Sequence, residues 1–113
     1  MRIEIKGRNL TVGDELRERV EKKFAKVGRQ VSPLAELEIE LMEERNPSIR
    51  ESCVAEATLH LKGITLRARE ASDDMSHSVN LVAEDLHRQV KRHRDKRRRR
   101  REATRPQPQA GAP

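Results

Sequence analysis

The apolar residues of this chain recur with two different periods, and the order of those periods limits what it can fold into. Near the N-terminus Ile3 and Ile5 alternate with Arg2, Glu4 and Lys6, the period of a half-buried strand. The spacing then lengthens. Leu16, Val20, Phe24 and Val27 are four, four and three apart, one stripe of an amphipathic helix whose other side carries Arg17, Glu18, Glu21, Lys22 and Lys26. Thr11, with Asp14 three residues on, is the expected cap at its start. Gly28 and then Ser32-Pro33 mark its expected end. The period of two returns over residues 35–43, where Leu37, Ile39 and Leu41 alternate with Glu36, Glu38 and Glu40. Beyond an Asn46-Pro47 connection it recurs twice more. Over 52–62, Ala55, Ala57, Leu59 and Leu61 face inward; over 64–70, Ile64, Leu66 and Ala68 do. Lys62-Gly63 between them is a two-residue hairpin turn. Ser72-Asp73-Asp74 then caps a last helix with the stripe Met75, Val79, Val82, Leu86 and Val90.

The order β-α-β-β-β-α predicts an α+β fold. Three sequential strands form an antiparallel meander, and the first strand reaches them through a helical crossover. Each helix has one apolar stripe and each strand one apolar face. The expected architecture is therefore a two-layer sandwich, a four-stranded sheet with both helices on one face. Only 34% of the residues are apolar and Phe24 is the sole aromatic, so the core must be small and aliphatic, with little room for a substrate pocket. The open sheet face would carry Glu38, Glu40 and Glu56 beside Arg67 and Arg69. That mixture predicts cross-strand charge pairs rather than a phosphate-binding surface.

Charge is distributed unevenly. Residues 86–101 hold ten Lys/Arg and one acid, a net of +9; the remainder holds fifteen Lys/Arg against eighteen Asp/Glu, a net of −3. Charges of one sign gathered in one place add at a distance and steer polyanions. A phosphate backbone is the partner this implies, bound largely through counterion release. At 100° per residue Arg88, Arg92 and Arg99 lie almost opposite the apolar stripe, with Lys91 beside them. The stripe ends at Val90, so the helix is expected to project from the body and to fray at the five arginines of 97–101, which repel one another. Residues 103–113, with three prolines and two glutamines, are expected to be a disordered tail or linker.

Other chemistry is poorly supported. Cys53 is alone, which excludes an internal disulfide and fits a reducing compartment. No apolar run approaches a membrane span and the N-terminus has no signal-peptide core, so a cytoplasmic location without membrane attachment is expected. His87 and His93, six apart, do not share a helix face, so no metal site is expected. His60 is a cross-strand neighbour, and Asp73 and Asp74 are accounted for by capping. There is no Gly-rich phosphate loop and no nucleophile elbow, so neither an enzyme nor a bound cofactor is expected.

Several stretches, in this order, carry a resemblance: I-x-G-x-N at 5–9, K-F-A-K-V at 23–27, A-T-L-H at 57–60, D-M at 74–75 and R-Q-V-K-x-H-x-D-K at 88–96. With them the chain resembles the ribosome hibernation-promoting factors, also called ribosome-associated translation inhibitors or sigma-54 modulation proteins, over about residues 1–100. The resemblance implies the same β-α-β-β-β-α fold. It also implies binding to the small ribosomal subunit and its 16S rRNA, in the mRNA channel and the A- and P-site region. There the protein would compete with mRNA and tRNA and inhibit translation. Residues 1–96 would be the ribosome-binding domain, and 97–113 a basic and then Pro/Gln-rich tail or linker. Dimerisation would require the C-terminal domain that long members carry. Where many members have an aromatic after D-M this chain has Ser76, and its strands hold no aromatic. Base stacking is thus largely unavailable, and affinity should rest on phosphate contacts and shape.

The candidate rRNA contacts are Lys23 and Lys26 on the first helix and Arg88, Lys91, Arg92, Arg94 and Lys96 on the last. The arginines at 97–101 would add diffuse attraction. Two other readings stay open: a general double-stranded-RNA module, which shares the α-β-β-β-α order, and a protein-interaction module with an incidental basic tail.

Overall fold

The computed structural model describes residues 1–46 and 48–104, with side chains described as far as Arg101. Its elements are β1 (Arg2–Arg8), α1 (Asp14–Gly28), β2 (Glu36–Glu43), β3 (Cys53–Leu61), β4 (Ile64–Ser72) and α2 (Met75–Thr104). They form the α+β sandwich that the periodicities predict. The sheet has the order β1-β2-β3-β4; β1 is parallel to β2, and the other neighbours are antiparallel.

Register puts one set of residues in the core and another on the open face. The inner rows hold Leu37, Ile39, Leu41, Ala55, Ala57, Leu59 and Ala68, all nearly or wholly buried. Val20, Phe24 and Val27 of α1 and Val79, Val82, Leu86 and Val90 of α2 close over them as one cluster. The alanines of β3 are small where α2 crosses, so helix and sheet approach closely. Lys62-Gly63 turns the β3–β4 hairpin with Gly63 at φ 80°, a conformation glycine adopts without strain.

Both helices leave the end of the sheet marked by Arg8, Met42, Val54 and Ala71 and run side by side toward the end marked by Arg2, Glu36, His60 and Thr65. The start of α2 is anchored there. Asp74 Oδ2 accepts the His77 N–H at 3.2 Å, and the buried Ser78 hydroxyl donates to the Cys53 carbonyl at 2.6 Å. Ser72 belongs to β4; its Oγ stands 2.6 Å from that of Ser78, so the cap of α2 is the aspartate.

Two expectations about helix ends differ from what is observed. Thr11 does not cap α1. The helix begins at Asp14, and Gly13 occupies the cap position without a side-chain hydrogen bond. The chain first doubles back on the end of β1: Asn9 has φ 60°, and a Cβ on Gly7 would meet Leu10 O at 2.5 Å and Val12 Cγ2 at 3.0 Å. That close return uses residues 9–12, which places the hydroxyl of Thr11 too early to serve the helix. Nor does α2 open at its run of arginines; it is continuous to Thr104. Successive side chains leave a helix about 100° apart, so five arginines fan around the axis instead of stacking, and arginine is a good helix former. Residues 91–104 therefore extend about 21 Å beyond the packed part of α2. The molecule measures 73 × 29 × 19 Å. The expected tail lies mostly outside the described residues.

Candidate nucleic-acid interface

The apolar stripe of α2 faces the sheet, so geometry leaves one side of the helix for solvent. Residues 88, 91, 92, 95, 96 and 99 follow the three-and-four spacing of a single face, and Arg88, Lys91, Arg92, Lys96 and Arg99 are all exposed on it around a half-buried Asp95. Among the described residues, no carboxylate lies within 4.0 Å of the cationic groups of Arg88, Lys91, Arg92 or Lys96. The ridge is thus neither folded back onto the sheet nor neutralised by it. Arg94 is exposed but does not line this face, being about 120° around the helix from Arg88.

Beside the ridge, α1 and α2 enclose an open groove of about 450 Å³. Lys22, Lys23, Lys26 and Arg29 line it from α1, and Asn80, Ala83 and Glu84 from α2. The alanine hollows the seam, and α1 supplies its cations at positions one turn apart. Lys26 is half-buried and donates to Glu84 Oε1, tying the helices together. Hydrogen bonding to Lys26, and then its charge, hold the Glu84 carboxyl below the usual glutamate range against a small opposing effect of burial; His87 and Arg88 add to the depression. Of the residues expected to contact RNA, Lys23 and Lys26 thus share the groove, and Arg88, Lys91, Arg92 and Lys96 share the ridge. Only Arg94 lies apart. Lys22, Arg29, Asn80 and Glu84 were not among those candidates. For Lys22 and Arg29 the signal was their seven-residue separation across Lys26, which puts all three along one side of α1.

The open face of the sheet is different. Its rows read Arg2–Glu36–His60–Thr65, Glu4–Glu38–Thr58–Arg67, Lys6–Glu40–Glu56–Arg69 and Arg8–Met42–Val54–Ala71. Acidic side chains occupy its centre, and its two edges are mostly basic, with Glu4 among the cations of β1. Arg8 Nε lies 3.3 Å from Glu40 and His60 Nε2 lies 3.4 Å from Glu38. The pairing expected for Arg67 and Arg69 does not form: among the described residues no carboxylate is within 4.0 Å of either. Arg67 stands opposite Thr58, and Arg69 stands opposite Glu56 without coming within 4.0 Å of its carboxylate.

No group of three or more His, Cys, Asp or Glu is placed to hold a metal among the described residues, and no described helix is long and apolar enough to cross a membrane. Residues 3–98 match the family described as sigma 54 modulation protein / S30EA ribosomal protein. The chain belongs to this family. Its members are not enzymes. The chain is 33% identical over 96 residues to the ribosome hibernation promotion factor of Staphylococcus aureus (strain COL), covering 83% of this chain and 48% of that protein, so it spans about half the relative's length. Among solved structures, the N-terminal domain of Thermus thermophilus Protein Y superposes with a TM-score of 0.71 at 28% identity, covering 82% of this chain and 99% of that one. A ribosomal subunit interface protein from Coxiella burnetii shares the fold, with a TM-score of 0.69 at 24% identity, covering 84% and 99%. The matched span contains all seven candidate contact residues.

Proposed function

We propose that this domain is a non-enzymatic ribosome hibernation factor of the cytoplasm. It binds the small ribosomal subunit in the mRNA channel, at the A- and P-site region, and inhibits translation by occupying the space that mRNA and tRNA need. The observation that carries this reading is the exposed cationic ridge of α2, without a carboxylate partner among the described residues at Arg88, Lys91, Arg92 and Lys96 and turned away from the sheet, in a chain of this family. The relative's name, ribosome hibernation promotion factor, supports the same assignment. Lys23, Lys26, Arg88, Lys91, Arg92, Arg94 and Lys96 contact phosphates of the rRNA. A rigid aliphatic core holds them at fixed spacing, so no conformational switch is needed. Residues 97–113 act as a basic tail or linker beside the domain.

Co-sedimentation with purified small subunits across a salt series, with initiator tRNA as competitor, tests the reading. Neutralising about six phosphates gives a slope of log K against log salt of roughly −4 to −5. A slope shallower than about −1, or tRNA that stays bound at saturating protein, would overturn it. Equal affinity for any A-form duplex would instead favour a general double-stranded-RNA module.

A further inference from the structure

A carboxylate in a groove meant for a polyanion weakens the attraction unless it accepts a hydrogen bond from the ligand. Glu84 is such a carboxylate. It lies on the α2 wall of the α1–α2 groove, facing the cations of α1, and Arg88 follows it one turn later. Its side chain is 55% exposed, so a ligand reaches it. Lys26 engages only Oε1 and thereby orients the group, leaving Oε2 without a hydrogen-bond donor among the described residues. One wall of the groove therefore presents donors that suit phosphate oxygens, and the other presents one exposed acceptor, the remaining oxygen of Glu84.

RNA carries both complements within one nucleotide. The phosphate is the acceptor, and the ribose 2′-hydroxyl is a donor that DNA lacks. We propose that the α1–α2 groove reads ribose: Lys22, Lys23 and Arg29 hold a phosphate while Glu84, set in place by Lys26, accepts the hydrogen bond of a neighbouring 2′-hydroxyl. The groove thereby selects RNA over DNA, and the ridge supplies attraction that does not distinguish them. This rests on the reading that the partner is RNA, and assigns to Glu84 a role in specificity.

The test compares the full chain's binding to an RNA hairpin, the same hairpin with 2′-O-methyl riboses, which keeps the A-form but removes the donor, and the DNA hairpin of that sequence. The expected result is binding about tenfold weaker to the methylated hairpin than to RNA, the effect of one hydrogen bond to a charged acceptor. In Glu84→Ala that ratio falls close to one, and Glu84→Gln, which keeps an acceptor oxygen, restores part of it. Circular dichroism confirms that both variants are folded. A 2′-O-methyl ratio near one in the unaltered chain overturns the inference. So does a ratio unchanged in Glu84→Ala, even if all affinities rise, because Glu84 would then be only an electrostatic brake. Small-subunit binding, measured in parallel, separates the two ideas: subunit binding without ribose discrimination removes the groove assignment alone, and discrimination without subunit binding removes the ribosomal one.

Discussion

The two broad surfaces of this domain are both charged, yet only one gathers charges of one sign together. On the open sheet face, charges are laid out by strand register, with Glu36, Glu38, Glu40 and Glu56 down the middle and Arg2, Glu4, Lys6, Arg8, Arg67 and Arg69 along the edges. At distances beyond the roughly 8–10 Å Debye length such a pattern largely cancels. On the helical face, five cations share one side of α2 with a single acid, and α1 adds Lys22, Lys23, Lys26 and Arg29 beside them. Charge content alone is therefore a poor guide to a polyanion site. What matters is whether the backbone sorts the signs.

That contrast can be broken experimentally, and the strongest attempt is to reverse the ridge. Arg88→Glu, Lys91→Glu and Arg92→Glu together should weaken small-subunit binding by about a thousandfold or more and make the salt slope shallower by about three, with the melting temperature nearly unchanged. Unaltered sedimentation of this variant would move the site elsewhere on the molecule. Leu86, fully buried one turn before Val90, anchors the same helix to the core. Leu86→Ala should destabilise the fold by about 2–5 kcal/mol in urea titration, while the variant still folded at low denaturant retains the salt slope of the parent. If the slope changed with stability, the ridge would owe its effect to folding rather than to charge. Reversing Arg67 and Arg69 on the sheet should change affinity less than about threefold, since mixed-sign charges on that face compensate one another; a larger loss would show that RNA wraps around β4. The smallest effect concerns acid. The folded-state value of Glu84 is depressed, so the stabilising contribution of its pair with Lys26 is complete above the ordinary glutamate pKa of 4.5 and is lost as pH falls through the lower folded value. The pair is only partly buried, so the stability difference between the parent and Glu84→Gln should be below about 1 kcal/mol at neutral pH and should shrink as acid protonates Glu84. A difference that persists in acid would have a cause other than this ion pair.

Much of the fold was legible because its signals are local. Ile3 and Ile5, Leu37 to Leu41 and Ala55 to Leu61 betray their strands through a spacing of two, and Val20, Phe24 and Val27 betray α1 through a spacing near 3.6. The start of α1 was misread at Thr11 because the close return of Leu10 and Val12 onto Gly7 is a contact between the helix approach and a strand end, with no periodic trace. The continuation of α2 through 97–101 was misread for the opposite reason. Like charges adjacent in sequence were assigned their full repulsion, whereas the helix separates them around its axis. On the ridge, Arg88, Lys91, Arg92 and Lys96 were legible from helical phase alone, and Arg94 shares their sequence block without sharing their face.

The chain by itself determined the element order, the aliphatic core and the location of its surplus charge, since each depends on residues within a few positions of one another. Only the tertiary structure decided that α1 and α2 lie side by side, so that Lys26 meets Glu84, 58 residues away, and a groove with cations on one wall and the Glu84 carboxylate on the other opens between them. The physical reason is that pairing of this kind is set by which apolar stripes share a core, and the burial of the α1 and α2 stripes in one cluster leaves no mark on the polar residues above it.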